Sequence, residues 1–316
     1  MILRKSEARG GLYSLRLFSD AAASVYPQAT WRGRQLRALF IARSIAQWRT
    51  AAEWYRLLAG PLATAARVNA SLYTKVIRPY LHPQTSPTET LRILKSHYHY
   101  VLHQFRPDDF TAICSRDGRR MLHLATSDGL AFDLRWLSDD KYRKEGEHSL
   151  VLTTTDGTPL AALTFVLVWS TDGHLHLMIG GLQGTPHGTG KDLTRAATKA
   201  LDGLRPKSLV LIAAQRIASH WGVAAIRATS NATHISRHRA YTLNRARRPS
   251  LAYDDFWRES GGMLDDDGYF TVPLTATRRS DDEIKPNKRA QYHRRYAMLR
   301  RVEEELADTL DEMRLD

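Results

Sequence analysis

Residues 149–179 read SLVLTTTDGTPLAALTFVLVWSTDGHLHLMI, and this stretch decides the fold. Two Asp-Gly pairs, Asp156-Gly157 and Asp172-Gly173, cut it into three runs rich in Val, Leu, Ile, Thr and Phe. Glycine accepts the positive φ of a tight reversal without steric cost, so Asp-Gly between β-rich runs marks a hairpin. A third pair, Asp128-Gly129, separates residues 121–125 from residues 130–136. The turn spacing predicts an antiparallel meander of about five strands.

On the N-terminal side of the meander the pattern is helical. Leu36, Leu39, Phe40, Ile41, Ile45, Trp48 and Tyr55 are interleaved with arginines, which predicts one basic helix with a single apolar stripe, broken at Gly60-Pro61. A second helix carries Leu72, Tyr73, Val76 and Ile77 and stops before Pro79. A third opens at Ser86, which caps it, with Pro87 in its first turn and Glu89 at the acidic capping-box position. On the C-terminal side a glycine-rich stretch from Gly180 is read as a loop, followed by helices at 192–201 and 208–221 and a strand at 223–229. Residues 231–268 read as irregular, residues 270–274 as a last strand, and residues from Asp281 onward as a long charged helix. The plan is α+β. A basic helical region, 1–105, precedes an α+β core, 106–316.

Composition narrows the function. Hydrophobic residues make up 43% and charged residues 25%, as in ordinary globular proteins. The net charge of +13 and pI near 9.9 favour anionic partners: nucleic acid, acidic lipid or a phosphorylated ligand. Cys114 is the only cysteine, which excludes an intrachain disulfide and a CxxC metal motif and fits a reducing compartment. Residues 1–11 lack the apolar run of a secretory signal, and the apolar strip 160–169 is too short to span a bilayer as a helix. These features predict a cytoplasmic protein, with contact to the inner membrane surface as its extension.

Several groups are candidates for chemistry. Gly180, Gly181, Gln183, Gly184, Thr185, His187, Gly188, Thr189 and Gly190 precede a helix, an arrangement that lets backbone amides and a helix N-terminus receive an anion. The order of strand, glycine loop and helix after an antiparallel meander is similar to the coenzyme A loop of N-acetyltransferase-like folds. A tight turn is the structural alternative. Glu145 and Glu147 stand one residue apart at a strand start, which puts both on one face and makes Glu147 a candidate base. His234 follows the strand ending at Thr229 and is the preferred general base. Tyr253 and Asp254 are either core anchors or part of a lid over the site. Lys288 and Arg289 open a basic, tyrosine-bearing helix suited to nucleic acid or acidic lipid. His99 with His103, and His174 with His176, share faces, but no third metal ligand is identifiable, so a metal-dependent oxygenase stands last. Cys114 reads as a buried thiol.

Several motifs, taken in order, are similar to those of the VirK/YbjX family of bacterial proteins. They are Glu145-Gly146-Glu147, Ile179-Gly180-Gly181-Leu182-Gln183-Gly184, Gly203-Leu204-Arg205-Pro206-Lys207, Tyr253-Asp254-Asp255-Phe256-Trp257 with Gly261-Gly262, and residues 288–296. The resemblance covers the chain from about the third helix to its end. It implies a largely uncharacterised family linked to virulence, antimicrobial-peptide resistance and envelope physiology, and it supplies no mechanism. Two function classes remain. One is an acyltransferase-like enzyme acting on an amine of a peptide, protein or lipid, with acyl-CoA or acyl carrier protein as donor, Glu147 or His234 as base, and Gly181, Gln183 and Gly184 at the donor. The other is a non-catalytic basic protein that binds acidic lipid, nucleic acid or an envelope partner. The discriminating expectation is geometric: Glu147, His234, Gln183 and Gly184 converge on one cleft.

Overall fold

In the computed structural model, which describes residues 2–185, 190–242 and 252–315, each of the three Asp-Gly pairs closes its hairpin. Gly129, Gly157 and Gly173 take φ of 78°, 85° and 81°, the left-handed region that glycine adopts freely. They join β1 (Arg119–Ala125) to β2 (Ala131–Leu137), β3 (His148–Thr154) to β4 (Pro159–Trp169), and β4 to β5 (Leu175–Gly184). These five strands form the expected antiparallel meander.

The helical region comes first: α1 (Ile2–Val25), α2 (Trp31–Ala46), α3 (Trp48–Ala59), α4 (Ala63–Val68), a 3-10 turn at Ala70–Ile77, α5 (Pro87–Gln104) and α6 (Pro107–Cys114). Two expectations are corrected here. The single stripe over 36–55 is two helices broken at Gln47, and Leu39 and Ile45 face outward while Phe40 and Tyr55 are buried. The segment carrying Leu72 and Val76 is a 3-10 turn, not an α-helix. The cap of α5 is as expected: the Ser86 side chain accepts the Glu89 N–H.

After the meander come α7 (Gly190–Ala200) and α8 (Pro206–His220), which lead into β6 (Ala225–Thr229). β6 lies parallel to β5, the geometry that such a helical crossover permits. Short α9 (Arg239–Thr242) and α10 (Tyr253–Glu259) follow. The segment read as irregular then supplies a fourth hairpin, β7 (Met263–Leu264) with β8 (Tyr269–Val272), turned at Gly268 with φ of 82°. The sheet of the described residues runs β1-β2-β3-β4-β5-β6-β8-β7 and is antiparallel except at β5–β6. Helix α11 (Arg289–Met313) closes the chain.

Two packing features position the site. Strand β4 extends beyond β3, whose pairing starts at His148 opposite Phe165. Helix α5 takes over that exposed edge: the Leu167 N–H donates to His97 Nδ1 at 3.1 Å, and the Trp169 N–H to Ser96 Oγ at 2.7 Å. Buried amides need such partners. At the other end of the sheet, α11 packs along the edge strand β1, with Thr309 Oγ1 donating to the Met121 carbonyl. The chain then pairs back onto its own middle, because Arg106 N–H donates to Met313 O and Leu315 N–H to Gln104 O. One hydrophobic core runs through both layers, from Phe18 to Met313.

Candidate active site

The glycine stretch is a strand, not a loop. Residues 181–184 pair with β4, and Gly180 forms a bulge between Ile179 and Gly181. The reason is a neighbour distant in sequence. A Cβ on Gly180 would overlap the Glu145 carbonyl, and one on Gly181 would overlap the Glu145 carboxylate. The glycines therefore make room for Glu145. His187, Gly188 and Thr189 lie outside the described residues.

Strands β5 and β6 pair from His176 opposite Ala225 as far as Ile179 opposite Ala228. Past that point no strand of the described residues lies on the β6 side of β5, and α10 fills the gap. Trp257 Nε1 donates to the Thr229 carbonyl at 2.8 Å, and the Leu182 N–H reaches the Tyr253 hydroxyl at 3.4 Å. The Leu182 amide is thus already partnered and is not part of an open cradle.

A polar cluster lines this divergence. Glu145 Oε2 accepts from Gln183 Nε2 at 2.8 Å, and Glu145 Oε1 lies 3.4 Å from His234 Nε2. The Tyr253 ring lies beside His234, and its hydroxyl is 3.4 Å from Gln183 Nε2. Burial holds that hydroxyl in its neutral form, with its pKa pushed far up. His234 is buried at the end of β6. Its Nδ1 accepts the Ser236 N–H at 3.2 Å, while its Nε2 makes no hydrogen bond among the described residues and lies 3.4 Å from Glu145 Oε1. The Ser236 hydroxyl lies 2.8 Å from the same Nδ1. Ser236, His234 and Glu145 thus stand in a row of hydroxyl, imidazole and carboxylate, hydrogen-bonded on the serine side and in 3.4 Å approach on the carboxylate side.

Of the expected residues, His234, Gln183, Gly181 and Tyr253 come together, and Gly184 lies just beyond, against the Lys207 side chain. Glu147 does not join them. The two acids part because residues 142–145 form a turn, with Glu145 N–H on the Tyr142 carbonyl, so 145–147 is not yet strand. Gly146 packs against the Phe165 backbone, and Glu147 turns into the core. There its carboxylate pairs with Lys75 Nζ at 2.7 Å and accepts from the Tyr98 hydroxyl at 2.8 Å. Asp254 accepts the Asn231 N–H at 2.7 Å while Asn231 accepts the Tyr253 N–H, which staples α10 to the segment carrying His234. Lys288 is exposed, and Arg289 donates to the Asp281 and Ile284 carbonyls at the start of α11, outside the cluster. The candidate metal pairs stay apart. His99 and His103 lie side by side on the outer face of α5, and the described residues hold no group of three or more such side chains placed to hold a metal ion. Cys114 is buried, and burial pushes its thiol pKa up.

The two glycines give contrasting expectations. Gly180→Ala meets fixed backbone and destabilises the fold by about 1–3 kcal/mol, as overpacking does. Gly181→Ala meets the end of a side chain, so the fold survives while Glu145 is displaced from Gln183 and His234. Denaturant midpoints of the two variants check this, and equal losses would contradict it.

The model of a family described as a protein of unknown function (DUF535) matches residues 29–308. The chain is also 32% identical over 299 residues to the uncharacterized protein YbjX of Escherichia coli strain K12, covering 94% of this chain and 90% of that protein. The chain belongs to the VirK/YbjX family. Two uncharacterized proteins of Haemophilus influenzae are each 29% identical, over 123 and 158 residues, or 39% and 49% of this chain and 40% and 49% of theirs. No solved structure matches. In this VirK/YbjX protein the motifs that carry the resemblance meet in space. Glu145, Gln183 and Tyr253 form the cluster, Arg205 pairs with Glu259 of α10, and Gly203 packs against Gln291 and Arg295 of α11.

Proposed function

We propose that the chain is an acyltransferase that moves an acyl group from a thioester donor, acyl-CoA or acyl carrier protein, to an amine on a peptide, protein or lipid. The line from Ser236 through His234 to Glu145 carries this reading. In the proposed reaction Ser236 Oγ attacks the thioester carbonyl and its proton passes to His234 Nδ1. Glu145 faces the Nε2–H and stabilises the imidazolium that forms. The donor's thiol leaves with that proton, and Ser236 carries the acyl group as an ester. The acceptor amine then attacks the ester carbonyl. His234 takes the amine proton, returns it to Ser236 Oγ, and the amide departs.

Two further features support a phosphate-bearing donor. Lys207, on the first turn of α8, lies along Gly184 and has no acidic partner among the described residues. Burial and neighbouring Arg205 lower its pKa. A donor phosphate would relieve both effects. Transfer to an envelope amine would connect this activity to the peptide resistance and virulence that the family resemblance implies.

The test is intact-protein mass after incubation with short-chain acyl-CoA, alongside product formation on amine acceptors. The wild type acquires one acyl mass on Ser236, Ser236→Ala acquires none, and His234→Ala slows product formation by about 10²–10⁴-fold. Acyl transfer that survives in both variants would remove the reading.

A further inference from the structure

Helix α2 turns an apolar face away from the protein. With about 3.6 residues per turn, Trp31, Ala38, Leu39, Ala42 and Ile45 fall within an arc of about 120° on one side. Gln35 is the polar member of that arc. The opposite side, Gly33, Phe40 and Ser44, is buried against the protein. The outward side is open: Trp31 is 68% exposed, Leu39 48% and Ile45 47%. A helix on a protein surface ordinarily places polar residues there.

The charges around this face select its partner. Residues 21–52 contain five arginines and no acid. Arg34 borders the apolar arc on one side, and Arg32 and Arg43 border it on the other; all three are exposed. Arg37 is committed elsewhere, donating to the Tyr26 and Pro27 carbonyls. The bounding acids along the chain are Asp20 and Glu53, and Glu53 is paired with Lys95 at 2.7 Å. An outward apolar strip with an exposed tryptophan, flanked by cations on both sides, matches the interface of an anionic bilayer. The aromatic and aliphatic side chains enter the headgroup region while the guanidinium groups stay at the phosphates. Nucleic acid satisfies the arginines but gives Leu39 and Ile45 nothing to bury against.

We infer that α2 docks this protein onto anionic membrane surfaces, lying in the plane of the interface. The inference is independent of the proposed chemistry, because none of these residues belongs to the cluster around His234. Flotation of the full chain tests it, using neutral phosphatidylcholine vesicles and vesicles with about one third phosphatidylglycerol. The protein floats with the anionic vesicles at low salt and not with the neutral ones. Trp31→Ser/Leu39→Ser, which keeps every charge, and Arg32→Gln/Arg34→Gln/Arg43→Gln, which keeps the apolar face, each lower the bound fraction about tenfold or more. Both variants keep the wild-type unfolding midpoint, since the altered side chains are exposed. Wild-type protein that stays unbound at low salt overturns the inference. So does a Trp31→Ser/Leu39→Ser variant that floats normally, and binding to single-stranded oligonucleotide that needs the arginines but not Trp31 and Leu39 would assign the surface to nucleic acid instead.

Discussion

Lys75→Met destabilises the protein by about 3–5 kcal/mol, because it strands a carboxylate in the core. The Lys75 ammonium is nearly inaccessible, and its three donors reach Glu147 and the Arg143 and Gly146 carbonyls. Burial lowers its pKa, and Glu147 opposes that shift. Removing the lysine leaves Glu147 without a cation, facing neutral tyrosine hydroxyls, and takes the ammonium away from both carbonyls. Glu147→Leu alone strands the ammonium and costs a similar amount. The double variant costs less than the sum of the two, since it buries no lone charge. Urea unfolding of the four proteins measures the cycle. A single-variant loss below about 1 kcal/mol would mean that water reaches the pair.

Acid provides the second large effect. Burial holds His148 neutral and pushes its pKa down to about 3 from the ordinary 6.5, and buried His97 is displaced in the same direction. Between those values the unfolded chain binds a proton that the folded chain refuses. Stability is therefore complete above the unfolded value and falls as pH drops toward the folded one. For His148 alone the full window corresponds to a loss on the order of 5 kcal/mol. His148→Gln removes the titrating ring and flattens the dependence of unfolding free energy on pH below neutrality. A variant as acid-sensitive as the wild type would place the sensitivity in other groups.

Legibility in the sequence follows how local each cause is. The meander was readable because each Asp-Gly pair fixes its own reversal, and the Ser86 cap because it acts within one turn. The β7–β8 hairpin carries the same signal at Asp267-Gly268, but β7 has only two residues and shows no alternation. The glycines of β5 read as a flexible loop because their reason, the approach of Glu145, lies some 35 residues away. Glu145 and Glu147 part at one turn, which rotates the first acid toward His234 and the second toward Lys75, and nothing in the local pattern announces that turn. Lys75 gave no sign of its burial amid an apolar segment. The contact of Ser236 with His234 was within reach: a histidine two residues before a serine at a helix start can accept that serine's amide, which brings the hydroxyl to the ring.

The return of residues 313–315 to residues 104–106 has a consequence for synthesis on the ribosome. Met313 and Leu315, which bond to Arg106 and Gln104, are translated long after the meander is complete. Until they emerge, β1 lacks the helix that covers it, and the edge of the meander is open to other nascent chains. The meander, complete at Gly184, has by then long been synthesised. A transcript cut before Arg289 therefore yields a product with native hairpins and an uncovered strand, prone to self-association. Chaperone demand should concentrate in the interval between completion of β5 and emergence of α11.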